Sequence, residues 1–83
     1  NFPSIKLGRA TENRLVIINK NEPGMIGRIA DQIAASNLNI TDMTNKSRDS
    51  IAINLIDLED KPSEQLINDI RNIDHVLSVR LCN

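Results

Sequence analysis

The apolar residues of this chain change period in a fixed order, and that order leaves few folds open. Leu15-Val16-Ile17-Ile18 is an unbroken aliphatic run within residues 14–19, as expected of a strand covered on both faces. Ile26, Ile29, Ala30, Ile33 and Ala34 follow on one stripe of a helix spanning about residues 23–36. Asn37 suits the left-handed position after that helix, with Leu38 as the apolar contact that accompanies such a cap. Residues 39–48 carry β-branched Ile40, Thr41 and Thr44 but alternate weakly, in the manner of a polar edge strand. Lys46-Ser47-Arg48-Asp49-Ser50 supplies turn chemistry, after which Ile51, Ile53 and Leu55 alternate with Ala52 and Asn54 in a run reaching Leu58, a second central strand. Glu59-Asp60-Lys61-Pro62-Ser63 marks the next helix start, and Leu66, Ile67, Ile70 and Ile73 form its stripe. Leu77, Val79 and Leu81 alternate in a last strand over residues 75–82.

Strand, helix, strand, strand, helix, strand is a split βαβ unit repeated once. The expected class is α+β: a ferredoxin-like βαββαβ fold with a four-stranded antiparallel sheet and two helices on one face. If Leu15 and Ile17 face the helices, Val16 and Ile18 must face the other way, because strand side chains alternate. Two aliphatics on an open face call for a cover, from a neighbouring domain or a second copy of the chain.

Composition removes whole classes of function. With 83 residues the chain makes one small domain, of a size that buries only about 60% of its unfolded surface. Its formal charge of −1, with both signs interspersed, lacks the basic footprint that phosphate binding needs, so nucleic acid is not an expected partner. Cys82 is alone and cannot form an internal disulfide, and no long apolar run resembles a signal peptide or a membrane span. A cytoplasmic setting away from membranes is the expectation. The chain opens on Asn1-Phe2-Pro3-Ser4, and residues up to Glu12 show no clear period. Residues 1–12 are therefore expected to be a linker from a missing catalytic part, with the domain over residues 13–83.

The first loop, Asn19-Lys20-Asn21-Glu22-Pro23-Gly24, is the candidate site. Pro23 suits the first turn of a helix, where its missing N–H forfeits no bond, and it pushes Glu22 towards extended geometry. The free N–H groups of the helix start, at the positive end of its dipole, then aim at a loop bearing asparagines, a seat for a small polar ligand. Other tenants of the fold meet obstacles. An RNA binder needs aromatic rings on its central strands, but the sole aromatic is Phe2. A copper or zinc carrier needs paired thiolates, and Cys82 is single and distant. A phosphate-cleaving enzyme wants an arginine in the first loop, which offers only Lys20. His75 has Asp74 as a mere chain neighbour, and Cys82 has no identifiable base, so neither makes a catalytic group. Arg28 and Asp31, three apart on a helix, read as a minor surface pair.

The residues from Leu15 to Gly27, LVIINKNEPGMIG, followed by Ala35-Ser36-Asn37-Leu38-Asn39-Ile40, resemble an ACT domain, a small amino-acid-sensing module. Asn1-Phe2-Pro3, Ile56-Asp57-Leu58 and Val76-Leu77-Ser78-Val79-Arg80-Leu81 are similar to the C-terminal ACT domain of bacterial phosphoglycerate dehydrogenases. The resemblance implies a non-catalytic, homodimeric regulatory domain that binds L-serine between the first loop of one subunit and the second strand of its neighbour. It implies as well that NAD and the oxidoreductase chemistry belong to a parent enzyme, with no cofactor in this domain. Asn21 and Asn39 match the family's ligand-contacting asparagines, whose amides offer donors to a carboxylate and acceptors to an ammonium. Asn19, Pro23, Gly24, Met25, Ile26 and Ile40 complete the implied ligand shell, with no metal site. Serine-inhibited members of the family place a histidine where this chain has Asn19.

The same residues also have structural readings. Loop asparagines often serve their own backbone, and Asn39 can simply begin a strand. Gly24 allows close approach of a ligand, whereas Gly27 inside the helix allows only tight packing, at about 1 kcal/mol relative to alanine. Two alternatives follow: a dimerisation domain without an effector, and a sensor attached to another biosynthetic enzyme such as acetolactate synthase.

Overall fold

Backbone pairing orders the strands of the computed structural model, which describes residues 13–82. The elements are β1 (Arg14–Lys20), α1 (Met25–Ala35), β2 (Ile40–Arg48), β3 (Ile51–Leu58), α2 (Glu64–Arg71) and β4 (Val76–Cys82). They form one four-stranded sheet in the order β2-β3-β1-β4, every neighbouring pair antiparallel. This is the βαββαβ arrangement expected from the order of periods. The linker expected over residues 1–12, with Phe2, lies outside the described residues.

Leu15 and Ile17 of β1, Ile56 and Leu58 of β3 and Val79 of β4 meet Ile29 and Ile33 of α1 and Leu66 and Ile70 of α2 in a single core. Burying aliphatic side chains of this size contributes about 1.5–3 kcal/mol each. Alternation along the paired strands puts Val16, Ile18, Ile53 and Leu55 on the opposite face, with Ile53 42% exposed. At one end of that face Arg14 Nε donates to Asp57 Oδ1 at 2.8 Å, and this bond together with the carboxylate's charge raises the guanidinium pKa above its usual value.

Local chemistry sets the helix ends, with two corrections to the expected pattern. Pro23 does not occupy the first turn of α1. Gly24 is the N-cap, in the left-handed conformation at φ 84°, so Pro23 stands one residue before it and the helix starts at Met25. Only glycine enters that backbone region without strain. The buried stripe is also rotated: Met25, Ile29 and Ile33 are buried, whereas Ile26 is 42% exposed and Ala34 lies at the surface. Residues 25, 29 and 33, spaced four apart on one face, are the ones that packing turns inward. At the other end Asn37 is left-handed at φ 60°. Its N–H donates to Ala34 O and that of Leu38 to Ile33 O, while Leu38 packs on the core. These are the two bonds and the apolar contact of a Schellman motif.

Ser63 caps α2, its Oγ accepting from the Leu66 N–H at 3.1 Å, and Ile73 packs on the core from beyond the helix. The turn between β2 and β3 is shorter than its composition implies. Arg48 pairs with Ile51, so only Asp49, at φ 58°, and Ser50 lie in it. In β4 the register shifts: Ile18 pairs with Ser78 and Asn19 with Val76, which leaves Leu77 opposite no β1 residue and 51% exposed.

Candidate functional site

The loop after β1 is held from both sides. Lys20 N–H donates to His75 O and Asn21 N–H to Ser50 O, each at 2.8 Å, so the starts of β4 and β3 fix the chain as it leaves the sheet. Glu22 N–H closes a tight turn onto Lys20 O, also at 2.8 Å. The exposed Asn21 side chain reaches Asp49 O of the β2–β3 turn with its Nδ2 at 3.5 Å. Pro23 and Gly24 are exposed as well.

From Gly24 the chain enters α1 without a side-chain cap and without an acidic residue in the first turn. The first bond of the helix runs from Arg28 N–H to Gly24 O at 3.1 Å, so the N–H groups of the residues before Arg28 lie at the positive end of the helix dipole. The contrast with α2 is chemical, because that helix has both the Ser63 cap and Glu64 in its first turn. One helix start is satisfied by its own residues and the other is open to an anion.

Beneath the loop, Asn19 turns into the protein and is 1% exposed. Its Oδ1 accepts from Asn54 Nδ2 at 2.7 Å, its Nδ2 donates to Lys20 O at 2.7 Å, and Asn54 Oδ1 accepts from Asn45 Nδ2 at 2.6 Å. Three asparagines thus form a chain of amides across β2, β3 and β1 that ends on the backbone of the loop. Buried amides cost free energy unless paired, and this arrangement pairs them with one another. Asn45 and Asn54 escaped the reading of the sequence. Their signal was parity: Asn54 alternates with Ile53 and Leu55 in a strand whose neighbouring inward positions are Ala52 and Ile56.

Asn39 is nowhere near this loop. It lies just before β2, with its O accepting from Glu59 N–H at 3.0 Å and its exposed Nδ2 donating to Glu59 Oε1 at 2.8 Å. Because Asn21 is bonded beside Ser50 and Asn39 beside Glu59, the two sit at opposite ends of β3, about 30 Å apart at about 3.3 Å per residue. The candidate residues therefore fall into two groups within one chain. Asn21, Pro23, Gly24 and Ile26 surround the open end of α1, with Met25 and Asn19 buried below, while Asn39 and half-buried Ile40 lie at the far edge. A groove of about 340 Å³ between α2 and β4, lined by Ile67, Arg71, Val79 and Leu81 among others, contains none of them. Arg71 spans it, donating to Val79 O at 3.3 Å and Asn68 Oδ1 at 2.8 Å.

No three His, Cys, Asp or Glu residues among those described cluster as metal ligands, and no described helix is long and apolar enough to cross a membrane.

No protein-family model matches the chain, and no curated protein matches it either. Solved structures do. The crystal structure of the ACT domain from GTP pyrophosphokinase of Chlorobium tepidum superposes with a TM-score of 0.71 at 19% identity, covering 83% of this chain and 94% of that one. The solution structure of that ACT domain gives 0.66 at 20% identity, over 86% and 84%. A homoserine dehydrogenase from Thiobacillus denitrificans gives 0.57 at 22% identity, over 88% of this chain but only 17% of that much longer one. With strand order, helix placement and the superposed structures in agreement, the fold of this chain is that of ACT domains.

Proposed function

We propose that this chain is a regulatory domain that binds a small zwitterionic amino acid, L-serine, at the interface between two copies of itself. The observation that carries the reading is the separation of Asn21 and Asn39. One serine molecule cannot touch two asparagines about 30 Å apart along a strand, so a site using both requires a second chain. Pairing of two β2 edges about a twofold axis supplies it, since isologous contacts bring each end of one strand to the opposite end of its copy. Asn39, at the start of β2, then meets the partner's Asn21, which is bonded to the β2–β3 turn. The uncapped start of α1 receives the carboxylate, and the asparagine amides hold the ammonium and the hydroxyl.

On this reading Asn19 acts from below. It fixes the carbonyl of Lys20 and so the path of the loop, in place of a loop histidine touching the ligand. The domain has no catalytic role, and its effector shifts hinge populations in a linked enzyme, an NAD-dependent phosphoglycerate dehydrogenase of the cytoplasm. NAD binds outside this domain. The likeness to part of a homoserine dehydrogenase supports a module of this shape serving amino-acid metabolism.

The test is the melting temperature of the chain with each common amino acid in large excess, together with its mass in solution. A ligand at a hundred times its Kd adds about 2.7 kcal/mol of stability. A dimer whose melting temperature rises with serine, and loses that rise in Asn21→Ala and in Asn39→Ala, supports the reading. A rise with valine instead assigns the sensor to a branched-chain enzyme such as acetolactate synthase. A dimer that no amino acid stabilises is a dimerisation domain without an effector, and a monomer refutes the shared site.

A further inference from the structure

The face of the sheet turned away from the helices carries an ordered pattern that the effector site does not use. Registers across the sheet give its rows: Thr44–Leu55–Val16–Arg80, Lys46–Ile53–Ile18–Ser78, and Arg48–Ile51–Lys20. The two central strands therefore present a stripe of five aliphatics, with Ile53 42% exposed and the others half-buried. Cations flank the stripe on both outer strands and at its end. Over the whole face Arg14, Lys20, Lys46, Arg48 and Arg80 stand against Asp42 and Asp57, a net charge of +3. The remaining described residues, on the helices and in the loops, carry three cations and eight carboxylates. No ion pair joins Lys20, Lys46, Arg48 or Arg80 to another described residue.

We propose that this face docks an amphipathic helix whose aliphatic stripe is flanked by carboxylates. The dimensions fit. Strands lie about 4.8 Å apart, so the outer strands, and with them the flanking cations, are about 14 Å apart across an apolar stripe two strands wide. A helix with its side chains is about 10–12 Å across and settles between them along β1 and β3. The stripe from Leu55 to Ile51 is about 13 Å long, which matches about nine helical residues. Acidic residues on one flank of the helix then meet Lys46 and Arg48, and those on the other meet Arg80.

Charge decides among occupants. A second copy placed sheet to sheet would oppose two faces of +3, and a second copy placed helices to sheet makes a head-to-tail contact, which leaves one such face uncovered in every assembly except a closed ring. A membrane surface needs apolar groups that project past the cations, whereas here the aliphatics have longer Lys and Arg side chains around them. An acidic helix satisfies the stripe and both flanks at once, and opposite charges would speed its encounter.

The test is methyl NMR on the Ile, Leu and Val residues of the 83-residue chain, titrated with a synthetic helical peptide bearing a leucine stripe flanked by glutamates. Expected are saturable shifts at Val16, Ile18, Ile53 and Leu55 with the core methyls of Ile29 and Ile33 unmoved. Binding should weaken about tenfold in Lys46→Glu/Arg80→Glu, and also between low and high salt, as screening of exposed charges requires. Both substituted side chains are exposed, and unmoved core methyls verify that the variant is folded. The proposal is overturned by any of four results: no shift at millimolar peptide, equal binding of a peptide with lysine for glutamate, shifts that track protein concentration alone, or shifts induced by phosphatidylserine vesicles but not by the peptide. Serine binding and dimer formation are read separately, so failure here leaves the effector site standing, and the reverse holds as well.

Discussion

Asn54 donates its Nδ2 to Asn19 Oδ1 at 2.7 Å across the β3–β1 pair, and both side chains are 1% exposed. The two are diagonal neighbours, since Ile17 is opposite Asn54 and Ala52 opposite Asn19. A polar pair of this kind ties the end of β1, where the candidate loop begins, to β3 and through Asn45 to the edge strand β2. The same bonds link the loop to the edge at which a second copy would pair.

Replacing Asn54 with leucine keeps the branching of the side chain and removes both bonds of that residue. Asn19 Oδ1 then loses its donor in a buried position, so the variant should lose about 2 kcal/mol, within the range for stranding a buried polar group. Urea unfolding checks this: the midpoint falls while the slope stays at the wild-type value.

Gly24 tests backbone against sterics. A Cβ at this position would meet no heavy atom within 4 Å, yet φ is 84°. Gly24→Ala should therefore cost about 1 kcal/mol through conformation alone, and Gly24→Asn less, because asparagine tolerates the left-handed region. Thermal unfolding of the two variants side by side ranks them.

Ile26 and Ile29 are three residues apart on α1 and have opposite surroundings, 42% and 1% exposed. Ile29→Ala should cost about 2–5 kcal/mol as a core truncation, which is a large share of a total of about 5–15 kcal/mol for a whole domain. Ile26→Ala should stay within about 0.5 kcal/mol as a surface change. Chemical denaturation of both variants measures the difference.

Ser63→Ala removes the acceptor for the Leu66 N–H and should cost about 1 kcal/mol, with Ser63→Asp restoring it. Circular dichroism melts give the shift, about 4–8 °C per kcal/mol for a domain of this size. The corresponding position in α1 is Gly24, which has no side chain to cap the helix. A carboxylate ligand there would act as the missing cap.

Local rules carried much of this structure in the sequence. The Schellman cap at Asn37 and Leu38, the serine cap of α2, the polar edge strand β2 and the outward Val16 and Ile18 follow from residue type and periods of 2 and 3.6, which depend only on near neighbours. Tertiary structure decided what depends on distant partners. It rotated α1 so that Met25, not Ile26, enters the core, and it drew Asn19 inward because Asn54 on β3, itself bonded by Asn45 on β2, was there to pair with it. It also set Asn21 and Asn39 at opposite ends of β3, since a helix that returns the chain along the sheet starts the next strand at the far end. Sequence spacing of residues cannot show that separation, because the direction of each strand is settled only when the strands pair.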